Sequence, residues 1–165
     1  ISKLYVIVIK QFFISTLFIS ILFSHDIKDG LVKVYYPSGK IKSEINYQNG
    51  KENGQYRWYW DNGNISEEGA YKDGKLHGLI KIYYQTGELQ ITGNLNYGKK
   101  EGIVIGYYEN GQVKSEGFYK NDKKNGSYKW YYKNGKIKIE EIYIDDKLID
   151  SKEYPNLSTP NRNPL

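Results

Sequence analysis

GQYRWYWDNGNISEEGAYKDGKLH, residues Gly54 to His77, is the stretch on which the fold turns. It is one copy of a 24-residue unit that runs five times without a gap, starting at Gly30, Gly54, Gly78, Gly102 and Gly126. The copies occupy 30–53, 54–77, 78–101, 102–125 and 126–149. An unbroken period of this length marks a repeat architecture, in which each copy is one supersecondary unit that leans on its neighbours.

Laid over one another, the copies agree at few places. The sixth position is always tyrosine: Tyr35, Tyr59, Tyr83, Tyr107, Tyr131. An aromatic follows it: Tyr36, Trp60, Tyr84, Tyr108, Tyr132. A glycine comes soon after (Gly39, Gly63, Gly87, Gly111, Gly135), and a lysine near the end (Lys51, Lys75, Lys99, Lys123, Lys147). Asn62-Gly63, Asn110-Gly111 and Asn134-Gly135 stand between runs rich in β-formers. That arrangement predicts a two-residue type I′ hairpin turn, with positive φ at both residues. A second turn signal closes each unit, as at Asn49-Gly50 and Asp73-Gly74. Each unit therefore reads strand, turn, strand, turn. The chain is expected to be all-β, an elongated antiparallel meander of about ten strands and roughly 48 Å.

Turn position sets register. With Asn62-Gly63 as the turn pair, Trp60 faces Ile65, Tyr59 faces Ser66, Trp58 faces Glu67 and Arg57 faces Glu68. The last pair recurs as Lys33–Glu44 and Lys129–Glu140, while Thr92 and Ile105 break it in the third and fourth copies. One face then carries Tyr56, Trp58, Trp60, Ile65, Gly69 and Tyr71 and is half-buried. The wetter face carries Arg57, Tyr59, Ser66 and Glu68.

The composite pattern G-x-x-K-x-Y-Y-x-N-G-x-I-K-x-E-G-x-Y-x-D/N-G-K resembles the bacterial variant of the MORN repeat, found in proteins labelled YwqK-like antitoxin components. It covers Gly30 to about Ile149. The resemblance implies stacked β-hairpins and a non-enzymatic binding role. It also implies membrane association or protein–protein contact as the kinds of work such repeats do. The end copies depart from the pattern, with Ile45 and Glu141 where a glycine usually stands, and Asp150 where a sixth copy would start.

The 165 residues, 39% hydrophobic with a formal charge of +5, allow one domain plus a leader. There is no cysteine, so disulfides and thiolate chemistry are excluded. Residues 1–24 are the strongly apolar segment, expected as a leader helix. The run from Phe12 to Phe23 suits a signal-peptide core, and an uncleaved anchor over residues 4–23 is the alternative. The chain is thus expected to be exported (periplasm, cell surface or secreted) or membrane-anchored. Residues 25–29 read as a linker, and 150–165, rich in Pro and Asn, as a disordered tail.

No catalytic constellation stands out, and no cofactor or metal is expected. His77, at a unit boundary, reads as a surface turn residue. The repeated glutamates are accounted for by their cross-strand lysine or arginine. The candidate binding residues are the aromatic rows: Tyr35, Tyr59, Tyr83, Tyr107 and Tyr131 on one face, and Tyr36, Trp60, Tyr84, Tyr108 and Tyr132 with Trp58 and Trp130 on the other. The bland alternative is that such rings hold the thin sheet together. A single layer cannot cover both faces, so an apolar strip is expected to stay exposed for a partner. That partner is expected to be a protein, a toxin if the antitoxin label applies. A cell-wall glycan or an anionic lipid surface met by the recurring lysines is the rival. Nucleic acid is disfavoured by the modest, dispersed charge.

Overall fold

A computed structural model of the chain describes residues 29–156. The leader, all but the last residue of the linker, and the end of the tail lie outside the described residues. Within them the chain is β-structure without helix. The strands are β1 (Asp29–Tyr35), β2 (Ile41–Gln48), β3 (Lys51–Tyr59), β4 (Ile65–Lys72), β5 (Lys75–Leu76) and β6 (Gly78–Tyr83). They continue as β7 (Leu89–Asn96), β8 (Lys99–Tyr107), β9 (Val113–Lys120), β10 (Lys123–Tyr131), β11 (Ile137–Ile144) and β12 (Lys147–Glu153). All join one open antiparallel sheet in chain order, with β5 and β6 both lying against β4. The expected meander of stacked hairpins is what forms.

The turns are distributed differently from expectation. Gly63 N–H donates to Trp60 O at 2.9 Å and Trp60 N–H donates to Asn64 O at 2.8 Å. Gly63 has φ +96°, while Asn62 is not among the positive-φ residues. This is a three-residue loop, a type I turn closed by a left-handed glycine, rather than type I′. Such a loop needs one left-handed residue, which is why Ser38 and Thr86 can stand where other copies have asparagine. Type I′ turns occur at the opposite end of each unit, where both residues are left-handed (Asp73 φ 52°, Gly74 φ 79°).

The longer loop moves the register near its tip by one residue. Tyr59 faces Ile65, not Ser66, and Trp60 pairs with Asn64 through the loop rather than with Ile65. A bulge at Ser66 restores the expected pairs Trp58–Glu67 and Arg57–Glu68. Ile65 therefore belongs on the tyrosine face, opposite Tyr59. The same shift recurs at Tyr35–Ile41, Tyr83–Leu89, Tyr107–Val113 and Tyr131–Ile137.

The half-buried face holds what core there is. Val32, Tyr56 and Ile80 are its buried apolar side chains. Large residues there stand directly opposite glycines: Tyr56 faces Gly69, Ile80 faces Gly93, and Val104 and Tyr128 both face Gly117. A Cβ on Gly69 would overlap Ile80 Cδ1, and one on Gly117 would overlap the Tyr128 ring. The glycine is a seat for its neighbour's side chain, and the ring in turn covers the bare backbone.

β12 carries the sheet past the point where a disordered tail was expected to begin. Residues 150–153 are strand, and Tyr154 N–H donates to Lys138 O at 2.8 Å. This strand is an abbreviated sixth copy. Pro155 stands where each full copy has its second aromatic, and with no N–H it cannot continue the pattern.

Gly117→Ala should destabilise the fold by about 1–3 kcal/mol, because the Tyr128 ring has nowhere to retreat. Ser127→Ala, exposed on the next strand, should cost less than about 0.5 kcal/mol. Thermal melts followed by circular dichroism compare the two, and equal melting temperatures would refute the seat.

Candidate functional site

The tyrosine face is built from two rows that run across the strands. The first is a charged row of directly opposed residues. Lys33 faces Glu44, which faces Arg57, then Glu68 and Lys81. Thr92 and Ile105 follow. The row resumes with Glu116, Lys129, Glu140 and Lys152. Signs alternate throughout except at the neutral pair. Four contacts in this row are close enough to be ion pairs: Lys33–Glu44 at 2.5 Å, Arg57–Glu68 at 3.4 Å, Lys81–Glu68 at 3.7 Å and Lys129–Glu140 at 3.6 Å.

The second row is the sixth-position tyrosines. Each hydroxyl reaches back to the glutamate of the copy before. Tyr59 donates to Glu44 at 2.7 Å, Tyr83 to Glu68 at 2.8 Å, Tyr131 to Glu116 at 2.5 Å and Tyr154 to Glu140 at 2.5 Å. Tyr107 has no such partner, because Thr92 stands where the glutamate would be. Tyr35 has no preceding copy among the described residues.

The seventh-position rings tie the same seam from the loop end. Tyr36 donates to Tyr59 O at 2.5 Å, Trp60 Nε1 to Tyr83 O at 3.4 Å and Tyr84 to Tyr107 O at 2.8 Å. Tyr108 donates to Tyr131 O at 2.7 Å and Tyr132 to Tyr154 O at 2.9 Å. Most sixth-position tyrosines are thus held twice by the preceding copy, at hydroxyl and at carbonyl. Trp58 and Trp130 lie on the half-buried face, where Trp130 Nε1 donates to Glu141 at 3.2 Å. Both aromatic rows act as inter-copy ties, and all their rings except Trp60 are at least half-buried.

Burial and the glutamate bond keep the tyrosine protons on. Tyr83 and Tyr131 are each pushed up to about 12, first by desolvation and then by the adjacent carboxylate. The carboxylates move the opposite way. Glu44 is lowered, first by its bond from Lys33 and then by Tyr59, and Glu68 is lowered first by Tyr83. Hydroxyls so held are poor nucleophiles and poor bases. Among the described residues no group of three or more His, Asp or Glu could hold a metal ion. His77 is half-buried rather than a free surface residue, its ring 4.9 Å from that of Tyr97.

Apart from Trp60, the exposed large apolar side chains lie outside both aromatic rows. Leu79, Ile103 and Phe118 are 51%, 58% and 42% exposed. Ile103 stands directly opposite Phe118, two pairs along from Ile105 and Glu116. They border the place where the charged row goes neutral and Tyr107 loses its glutamate. Sequence reasoning passed over these residues because they sit at positions that vary between copies: Leu31, Gln55, Leu79, Ile103 and Ser127 on one strand of the unit. The variation itself was the available signal.

Tyr83→Phe removes a hydroxyl bonded to a carboxylate and should cost about 1–2 kcal/mol. Tyr107→Phe removes an unbonded hydroxyl and should be within about 0.5 kcal/mol of neutral. Chemical denaturation of the two variants compares them, and equal losses would sink the tie. The pH dependence has two limbs. Glu44 and Glu68 have folded pKa values below the ordinary 4.5, so stability they contribute above that pH is lost as pH falls through the lowered values. Tyr83 and Tyr131 have raised values, so stability present below 10 is lost as pH climbs to about 12. Melting temperature should therefore plateau between these limits, and a continued rise above pH 10 would contradict the assignment.

The family profile described as MORN repeat variant matches five times, at residues 28–49, 52–73, 76–97, 100–121 and 124–145. The matched segments keep the period of 24 and cover most of the described sheet. No curated protein matches the chain. The chain belongs to the MORN repeat variant family, whose repeats are protein- or membrane-lipid-interaction modules.

Proposed function

We propose that the chain is a non-enzymatic scaffold that binds a protein partner on its tyrosine face, centred on the third and fourth copies. The observation that carries this is the exposure of Leu79, Ile103 and Phe118 beside a break in the fold's own stabilising row. Ile103 and Phe118 face one another where the second copy has Gln55 facing Ala70, and both keep large exposed apolar area. Exposed clusters of this kind mark partner surfaces. On the finer reading the partner is a toxin or an envelope protein, and residues 1–24 export the chain or hold it to a membrane. Their apolar run supports that reading.

A second reading has its own observation. Lys72 faces Lys75 and Lys120 faces Lys123 across the type I′ turns. Like charges directly opposed cost stability, and an anionic lipid surface along that rim would relieve them. Sugar stacking has less support, since lysine ammonium groups already stand over Tyr36, Tyr108 and Tyr132 at 5.8, 5.9 and 5.8 Å.

The test is capture of proteins from the source cell on the immobilised chain. Ile103→Asp with Phe118→Asp should abolish retention of the captured protein, while Lys75→Glu with Lys123→Glu should leave it. Retention untouched by the apolar pair would end the protein-partner reading. Salt-sensitive sedimentation with phosphatidylserine vesicles, lost in the lysine variant, would establish the lipid reading in its place.

A further inference from the structure

We infer that the tyrosine face takes a second copy of this chain, packed face to face about a two-fold axis that passes between Thr92 and Ile105. This rests on the proposed binding face and names its partner. The argument is the sign order of the charged row. Turn one sheet over so that its row runs backward against another, with the axis along the strands at the neutral pair. Lys81 then meets the partner copy's glutamate at 116, and Glu68 meets its lysine at 129. Arg57 meets the glutamate at 140, and Glu44 the lysine at 152. Thr92 meets Ile105. Every residue from Glu44 to Lys152 finds its opposite sign or a neutral partner. An unbroken alternation over the same strands would place an axis between strands on paired opposite charges just as well. The neutral break selects one axis position, because the apolar surface gathers there.

The neighbouring row agrees. In the same superposition Leu79 meets Phe118 and Ile103 meets Asn94, so these three exposed apolar side chains converge at the centre, while Ile142, exposed on the same face, lies on β11 away from the axis. Glu116 adds a chemical reason. Its direct neighbour on β8 is Ile105 where the first copies have Lys or Arg, and the hydroxyl of Tyr131 is its hydrogen-bond partner. Lys129, opposite it on β10, lies 3.6 Å from Glu140, and a lysine from above would give Glu116 a cation of its own. An isologous arrangement of this kind closes on itself and leaves no sticky end. Twisted sheets stack face to face near −30°, so pairs close to the axis count most. Eleven rows of strand span roughly 50 Å, and a contact about 20 Å deep supplies the area per partner that stable interfaces use.

Sedimentation velocity on the full chain tests this, with Lys81→Glu and Glu116→Lys as single variants checked for fold by circular dichroism. The chain should sediment as two copies and weaken with salt. Each single variant sets like charges against each other twice and should dissociate at roughly tenfold higher concentration or more. An equimolar mixture of the two variants restores opposite signs at both places and should recover the dimer. Any damage within one copy persists in the mixture, so recovery reports the contact between copies alone. A dimer indifferent to both variants, or a mixture that does not recover, overturns the inference. A single-copy mass also overturns it. If the Ile103→Asp with Phe118→Asp variant of that monomer still loses its captured protein, the proposed function survives with a different partner. If capture is unaffected, both fall.

Discussion

A sheet one layer thick has no second layer to bury its side chains, so each copy must be held by the next. The hydrogen bond from each sixth-position tyrosine to the glutamate one copy back meets that need. It ties strands from different hairpins through a buried-edge phenol and a charged acceptor, the stronger kind of neutral-to-ionic hydrogen bond. The same tyrosine's carbonyl receives the ring of the preceding copy's seventh position. Stability is then a sum of nearest-neighbour seams, as repeat arrays require. Glycines on the other face serve the same end by letting a neighbour's side chain lie on the backbone.

A seam-by-seam structure makes departures informative. Where Thr92 replaces glutamate, one hydroxyl bond and two charge contacts vanish together, yet the strands keep their register. The loss sits mid-sheet, where an edge-copy explanation does not apply. It coincides with the most exposed apolar side chain of the tyrosine face, Ile103. Thr92 donates to Ile80 O at 3.3 Å and Lys81 turns to Glu68 at 3.7 Å, but neither replaces the tie to Tyr107. A local rule broken in this way is a common mark of a functional position. The aromatic rows show the reverse. They are invariant within the chain because the seams need them, and their invariance says little about a partner.

Much of this was legible before any coordinates. The period, the all-β character, the separation into a wetter and a half-buried face, and the Arg57–Glu68 pairing follow from residue order alone. The turn types were less legible, because Asn-Gly serves both a two-residue type I′ turn and the tail of a three-residue loop. One extra loop residue then moved Ile65 to the other face. The ends were hidden for a related reason: β12 lacks the glycine and the second aromatic by which a copy is recognised, and only Tyr154 reaching Glu140 reveals it.

Residue order by itself determined that this chain is a stack of hairpins, since a period of 24 with alternating polarity and two turn signals leaves the backbone little else to do. It did not determine which rings were free. That was decided by tertiary structure, because whether a tyrosine faces solvent or the neighbouring copy depends on what lies fourteen or fifteen residues away across a seam. The exposed surface was likewise decided there. It is set by side chains from several strands meeting on one face, and no single stretch of sequence contains it.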